Sequence, residues 1–267
     1  MPAIQPTRLK HQVVKLGESY RQPDIFIRIL HHLLDGYADR TYRPGQTGKP
    51  APLLKAYNSP SRILQQIGKE LTPLIIADQI SALELCDALW NEPYLEFHLL
   101  AASLIGKIPP TPAEPILQRI NNWVKTGPED KILDTMFKEG LSSLRHDTPS
   151  WYLKLCEGWL TSSNISTQLL GFRAIMSLMN EPPLETLPGL FKILTPYIRV
   201  APPAIRPYLI MLLRQLIRCS PHETAYLLRQ NLGAPDNPDT TWIIRQLLDE
   251  FPVDIQGSLR AAQREKQ

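Results

Sequence analysis

Proline constrains this chain more than any other residue. There are 26 prolines in 267 residues, and many stand at the heads of apolar runs with helical spacing. A proline in the first turn of a helix costs nothing, because its missing N–H would have had no partner there; in the interior it breaks the helix. Pro23, Pro60, Pro93, Pro112, Pro149, Pro203, Pro221 and Pro238 all open such runs. Ser59, Ser220 and Asn237 directly precede three of them and can cap the free amides. Alternating Val, Ile or Thr runs bounded by turn residues, the mark of strands, are absent. The pattern predicts short helices with sharp corners, near residues 5–18, 23–35, 60–70, 78–90, 93–107, 113–125, 129–143, 149–161, 165–179, 184–198, 203–219, 221–232 and 238–250.

From about residue 112 these helices pair with a period near 35 residues, in units starting around Pro112, Pro149, Pro183 and Pro221. A helical hairpin cannot bury its apolar face alone, so repeated hairpins must stack. The expected fold is all-α, a HEAT-like or armadillo-like α–α superhelix, with a compact non-repeating helical domain as the alternative. Residues 1–56 read as N-terminal helices and a long basic connection, 57–252 as the repeats and 253–267 as a C-terminal tail, in one continuous domain. Within the connection, residues 36–58 hold three glycines and three prolines. They read as exposed, with a short helical turn at Leu53–Tyr57.

The stretch PAIRPYLIMLLRQLIRCSP, Pro203 to Pro221, shows the design of the helices. Residues three and four apart share a helix face. Leu209, Leu212, Leu213 and Leu216 therefore form a core stripe, and Pro207, Met211, Arg214 and Arg218 another that faces solvent or a ligand. Net charge is only +3, yet it is unevenly spread. Residues 1–70 hold eleven basic and five acidic side chains, residues 71–190 eight and fourteen, and residues 191–230 six and one. Two basic segments flank an acidic middle, which has meaning for nucleic acid only if the basic residues share a face.

Several function classes are disfavoured. No P-loop, GxGxxG, HExxH or CxxC occurs, and adjacent His31 and His32 point about 100° apart on a helix, so no metal and no cofactor is expected. Cys86, Cys156 and Cys219 are odd in number and lie in or beside apolar helical runs, which reads as buried reduced thiols. Apolar runs such as Leu99–Ile105 are far shorter than the roughly 20 residues of a membrane span. The opening residues lack the apolar core of a secretory signal. A cytoplasmic protein with no membrane partner is expected. Asp87, Glu92 and Glu96 read as helix-end and surface charge, Trp123, Trp159 and Trp242 as packing, and Trp151 as part of an exposed stacking surface.

Four segments carry a resemblance. Tyr57–Leu71, YNSPSRILQQIGKEL, has a Pro-x-Arg before a helix. Ala88–Ile105, ALWNEPYLEFHLLAASLI, has Leu89, Trp90, Pro93, Glu96, Phe97, Ala101 and Ala102 in register. Glu157–Leu178, EGWLTSSNISTQLLGFRAIMSL, has Trp159 followed by a helix start at Ser162, Asn164 and Ile165. The fourth is Pro203–Pro221 itself. In this order and spacing they resemble the DNA alkylation repair family of AlkD-like HEAT-repeat proteins. The resemblance implies stacked helix pairs around a concave, positively charged groove that grips double-stranded DNA. It also implies, in active members, a glycosylase that excises cationic alkylated purines. Indole faces there stabilise the cation, and an aspartate stabilises the oxocarbenium-like centre and positions water.

This chain departs from that pocket. Met211 stands where active members have a tryptophan, and Leu169 where they have an arginine, with Arg173 one turn later. The segment aligned with the remaining tryptophan and the aspartate, Val124–Met136 (VKTGPEDKILDTM), has no aromatic residue. Asp134 falls at the aspartate's place, or Asp130 in a shifted register. A thioether cannot present the flat negative face of indole, and such groups act together, so glycosylase chemistry by the familiar route is expected to be weak or absent. The expectation is a monomeric DNA-binding protein, cytoplasmic and nucleoid-associated, contacting phosphates through Asn164, Arg173, Arg206, Arg214 and Arg218. The alternatives are an active glycosylase using Asp134, and a protein-interaction scaffold without DNA binding.

Overall fold

Residues 5–41, 53–179 and 187–265 are described by a computed structural model, and they are helical almost throughout. The chain divides into two compact units, Met1–Thr148 and Pro149–Gln267. The first holds α1 (Pro6–Gly17), α2 (Pro23–Gly36), α3 (Ser61–Ala77), α4 (Gln79–Trp90), α5 (Leu95–Ile105), α6 (Glu114–Lys125), α7 (Asp130–Thr135), a π-helical segment (Met136–Gly140) and α8 (Ser142–Asp147). The second holds α9 (Pro149–Leu160), α10 (Ile165–Leu178), α11 (Leu187–Arg199), α12 (Arg206–Cys219), α13 (Pro221–Leu232), α14 (Thr240–Leu247) with a 3-10 turn at Leu248–Glu250, and α15 (Val253–Glu265). Among the described residues no strand forms beyond one bridge between Lys55 and Tyr94, and no helix is long and apolar enough to cross a membrane.

Within each unit a helix packs on its neighbour and on the helix after that. In the first, α1, α3, α5 and α7 contact in succession, and α2 contacts α4; in the second, α10, α12 and α14 make one row and α9, α11, α13 and α15 the other. This two-row packing is that of an α–α solenoid, so the expected all-α solenoid class holds. Each helix contributes a buried stripe at three- and four-residue spacing. On α12 the leucines 209, 212, 213 and 216 are all fully buried, each worth about 1.5–3 kcal/mol relative to exposure.

The details correct several expectations. Two prolines do lie inside helices, Pro73 in α3 and Pro196 in α11, and α3 continues through Pro73 to Ala77. The helix expected at 129–143 is three pieces, because two backbones meet there. A Cβ on Gly106 would stand 1.9 Å from the Glu139 carbonyl oxygen, and one on Gly140 2.4 Å from that of Ala102. Only glycine permits α5 and the π-helical segment to touch in this way. Of the three expected caps, neither Ser59 nor Ser220 uses its side chain as one. Asn237 instead donates its amide to the carbonyls of Asn231 and Leu232 at 2.6 and 2.7 Å, closing the far end of α13. The expected tail is helix α15, which packs against α13 with Ile255 and Leu259 buried. Leu53–Tyr57 is not a helical turn; Lys55 pairs its backbone with Pro93 and Leu95. The rest of the connection, residues 42–52, lies outside the described residues, as do residues 180–186 at the expected start of α11. Cys86 and Cys156 are buried, and burial pushes both thiols far up, but Cys219 is exposed at the end of α12.

Candidate nucleic-acid interface

In the second unit, the arginines singled out from the sequence fall on one row. Arg173 is on α10, and Arg206, Arg214 and Arg218 are on α12. Asn164 caps α10, accepting the Ser166 amide at 2.8 Å. With the leucine stripe of α12 buried, Pro207, Met211, Arg214 and Arg218 are all exposed, so the two stripes read from the sequence are the two faces of the helix. Met211 is 47% exposed, an apolar side chain standing in water between cations. Leu169 is half-buried on α10, one turn before the half-buried Arg173, which is engaged within the fold.

The arginines are not equivalent. Arg206 is held on three sides. Its Nε donates to the Ala201 carbonyl at 3.1 Å, its Nη2 to Asp239 at 2.9 Å, and its guanidinium lies 5.0 Å from the centre of the Trp242 ring. Asp239 in turn accepts the Ala201 amide at 2.8 Å. Arg206 is thus a strut between the start of α12 and α14. Arg214 pairs with Glu250 at 3.2 Å across half-exposed surface, a contact worth at most about 1 kcal/mol. Arg218 is exposed and has no ion-pair partner among the described residues. Sequence reasoning found almost no acid inside the 191–230 segment to pair with these arginines; Asp239 and Glu250 arrive from the next helix of the row.

Asp134 sits in the first unit, exposed on α7 opposite the buried Ile132 and Leu133, with Asp130 exposed one turn earlier. Other acids of the first unit are more structured than surface charge. Glu96, read from the sequence as exterior, is 4% exposed and accepts the amides of Tyr57 and Ser59 at 3.1 and 3.3 Å. Glu129 accepts those of Leu53 and Leu54 at 2.8 and 3.0 Å. Glu92 binds His31 Nε2 at 3.0 Å, while His31 Nδ1 meets the Tyr57 hydroxyl at 2.7 Å. Tyr57 stacks on Tyr94 at 4.9 Å, and burial, with Tyr94 beside it, pushes its phenol up to about 12. Asp87 takes Arg119 by both oxygens at 2.9 Å. Trp123 is core, stacked 4.3 Å from Trp90, and Trp159 is buried, but Trp242 is half-buried beneath Arg206. Trp151 is half-exposed under Lys154, 4.4 Å from its ring centre.

A cavity of about 180 Å³ opens beside this network, lined from the turn before α3, from α3 and α5, and from α7 and the π-helical segment. Glu96, Glu139 and Lys131 lie in its wall; Asp134 does not. No motif announces it, since its residues are scattered from 58 to 139. The one signal was Glu96, an acid inside the apolar run LEFHLL.

Stacked helix pairs, with a leucine core behind and an arginine stripe in front, define an all-α solenoid protein with a cationic surface on one helix row. The model of the family described as DNA alkylation repair enzyme matches residues 60–225, more than half of the chain. The chain belongs to that DNA alkylation repair family, in keeping with the four segments that resemble it. No curated protein and no solved structure matches the chain.

Proposed function

We propose that this protein binds the backbone of double-stranded DNA through the α10–α12–α14 row of its second unit, in the cytoplasm and as a monomer, without reading sequence. The observation that carries the reading is the exposed stripe of α12. Arg214 and Arg218 lie one turn apart on the face opposite the leucines, Arg218 with no ion-pair partner among the described residues and Arg214 in a weak half-exposed pair. A phosphate can displace Glu250 from Arg214, since the contact is solvated and the gain in counterion release is larger. Arg206 is set aside from contact by its three internal partners and supports the row. Asn164 and the amides at the start of α10 add a site for one more phosphate.

Excision of alkylated bases by the familiar route is not part of this reading. Met211 offers no ring face, Leu169 no charge, and α7 with its π-helical continuation presents no exposed aromatic beside Asp134. Duplex binding titrated against salt tests the reading. Affinity falling steeply with salt supports it; salt-independent binding, or none at low salt, removes it. Release of free methylated base from alkylated DNA, abolished by Asp134→Asn, would overturn the exclusion of chemistry.

A further inference from the structure

We propose that the cavity of the first unit binds a small apolar zwitterion, a molecule that carries one ammonium and one carboxylate on an aliphatic body. A free aliphatic amino acid and a short peptide both have this chemistry. The inference stands apart from the DNA-binding reading and takes nothing from the second unit. Every residue of the cavity wall comes from the turn before α3, from α3 and α5, or from α7 and the π-helical segment.

Two opposite charges share this wall without neutralising each other. Lys131 on α7 and Glu139 in the π-helical segment are both exposed and both line the cavity. Neither has an ion-pair partner among the described residues. The Glu139 carboxylate is oriented by the Ser103 hydroxyl, which donates to it, and it keeps lone pairs for a further donor. Its backbone is fixed as well, because the glycine contacts pin the π-helical segment to α5. Glu96 does not compete for a cation. It is buried, and its two oxygens already accept the amides of Tyr57 and Ser59.

The make-up of the wall selects the ligand. A simple anion is repelled by Glu139 and a simple cation by Lys131. A zwitterion satisfies both, with its ammonium at Glu139 and its carboxylate at Lys131, each a charge-assisted hydrogen bond. Leu64, Leu95 and Leu99 give the cavity an apolar side. Leu95 and Leu99 are 8% and 7% exposed, held by the core behind them, and such a surface suits an aliphatic side chain. Gln65 and Thr135 add donors and acceptors between the charged groups. The volume of about 180 Å³ fits a small molecule.

The test titrates the whole protein by calorimetry with L-leucine and with alanyl-leucine, and with each blocked at one end as the N-acetyl compound or the amide. At least one of the two zwitterions is expected to bind at least about tenfold tighter than both of its blocked forms, the low end for a hydrogen bond between charged groups. Which one binds tells a free amino acid from a peptide. Glu139→Gln should erase the advantage over the N-acetyl compound, which lacks the ammonium, and keep the advantage over the amide. Lys131→Met should do the reverse. Both positions are exposed, and a merely damaged fold would not give this crossed pattern. Blocked forms that bind as well as the zwitterions, no binding of either zwitterion at millimolar concentration, or variants that lose both advantages together would overturn the proposal. Duplex binding is measured separately and its failure leaves this result standing.

Discussion

The two units share one architecture and use charge in opposite ways. In the first, acids are turned toward the chain itself. Glu96 and Glu129 each hold two backbone amides of the segment that leads into α3, Glu92 holds His31, and Asp87 holds Arg119. In the second, Arg214 and Arg218 are turned outward along α12, while Arg206 is tied to Ala201, Asp239 and Trp242. The acidic middle of the sequence is therefore no argument against a nucleic-acid partner: several of its carboxylates are hydrogen-bonded internally. On α12 of the second unit, Arg214 and Arg218 stay at the surface on one helix face, and the proposed interface is placed there.

Substitutions can break this contrast, the largest effect coming from the first unit. Glu96→Ala strands two backbone amides in a buried site and should cost about 3 kcal/mol in chemical denaturation. A loss under about 1 kcal/mol would mean that Glu96 is not the fastening described. Gly140→Ala forces a Cβ against the Ala102 carbonyl and should cost about 2 kcal/mol; unchanged stability would separate α5 from the π-helical segment. In the second unit, Arg206→Ala should lower stability by about 1 kcal/mol yet leave duplex affinity within twofold, whereas a loss of affinity alone would place it among the contacts. The smallest effect is alkaline. Tyr57 has its phenol raised in the fold, from an ordinary value near 10 to about 12, so its contribution to stability is whole below pH 10 and lost as pH rises toward 12. Tyr57→Phe should flatten the decline in stability across that window in part, since Tyr20 and Tyr197 are raised as well.

What the sequence revealed divides along the same line. The α12 stripes were legible because a 3.6-residue period separates four leucines from Met211, Arg214 and Arg218 with no outside information. The class of fold was legible for the same reason, repeated in helix after helix. The partners of Arg206 and Arg214 were not, since Asp239 and Glu250 reach them across a helix pair and sequence spacing carries no sign of that contact. Glu96 was misread because its polarity suggested surface, while its place among Leu95, Phe97 and Leu99 pointed inward. The π-helical segment was hidden for a subtler reason: Gly106 and Gly140 look like ordinary helix-end glycines until they are seen to face each other's backbones.

The central claim is that the exposed arginine stripe of α12 meets phosphate. Its most direct test is the slope of log affinity against log salt for duplex DNA, measured for the protein and for the double variant Arg214→Ala, Arg218→Ala. If each arginine meets one phosphate, the slope should become shallower by about 1.8 and affinity should drop at low salt. An unchanged slope together with an unchanged affinity would contradict the account.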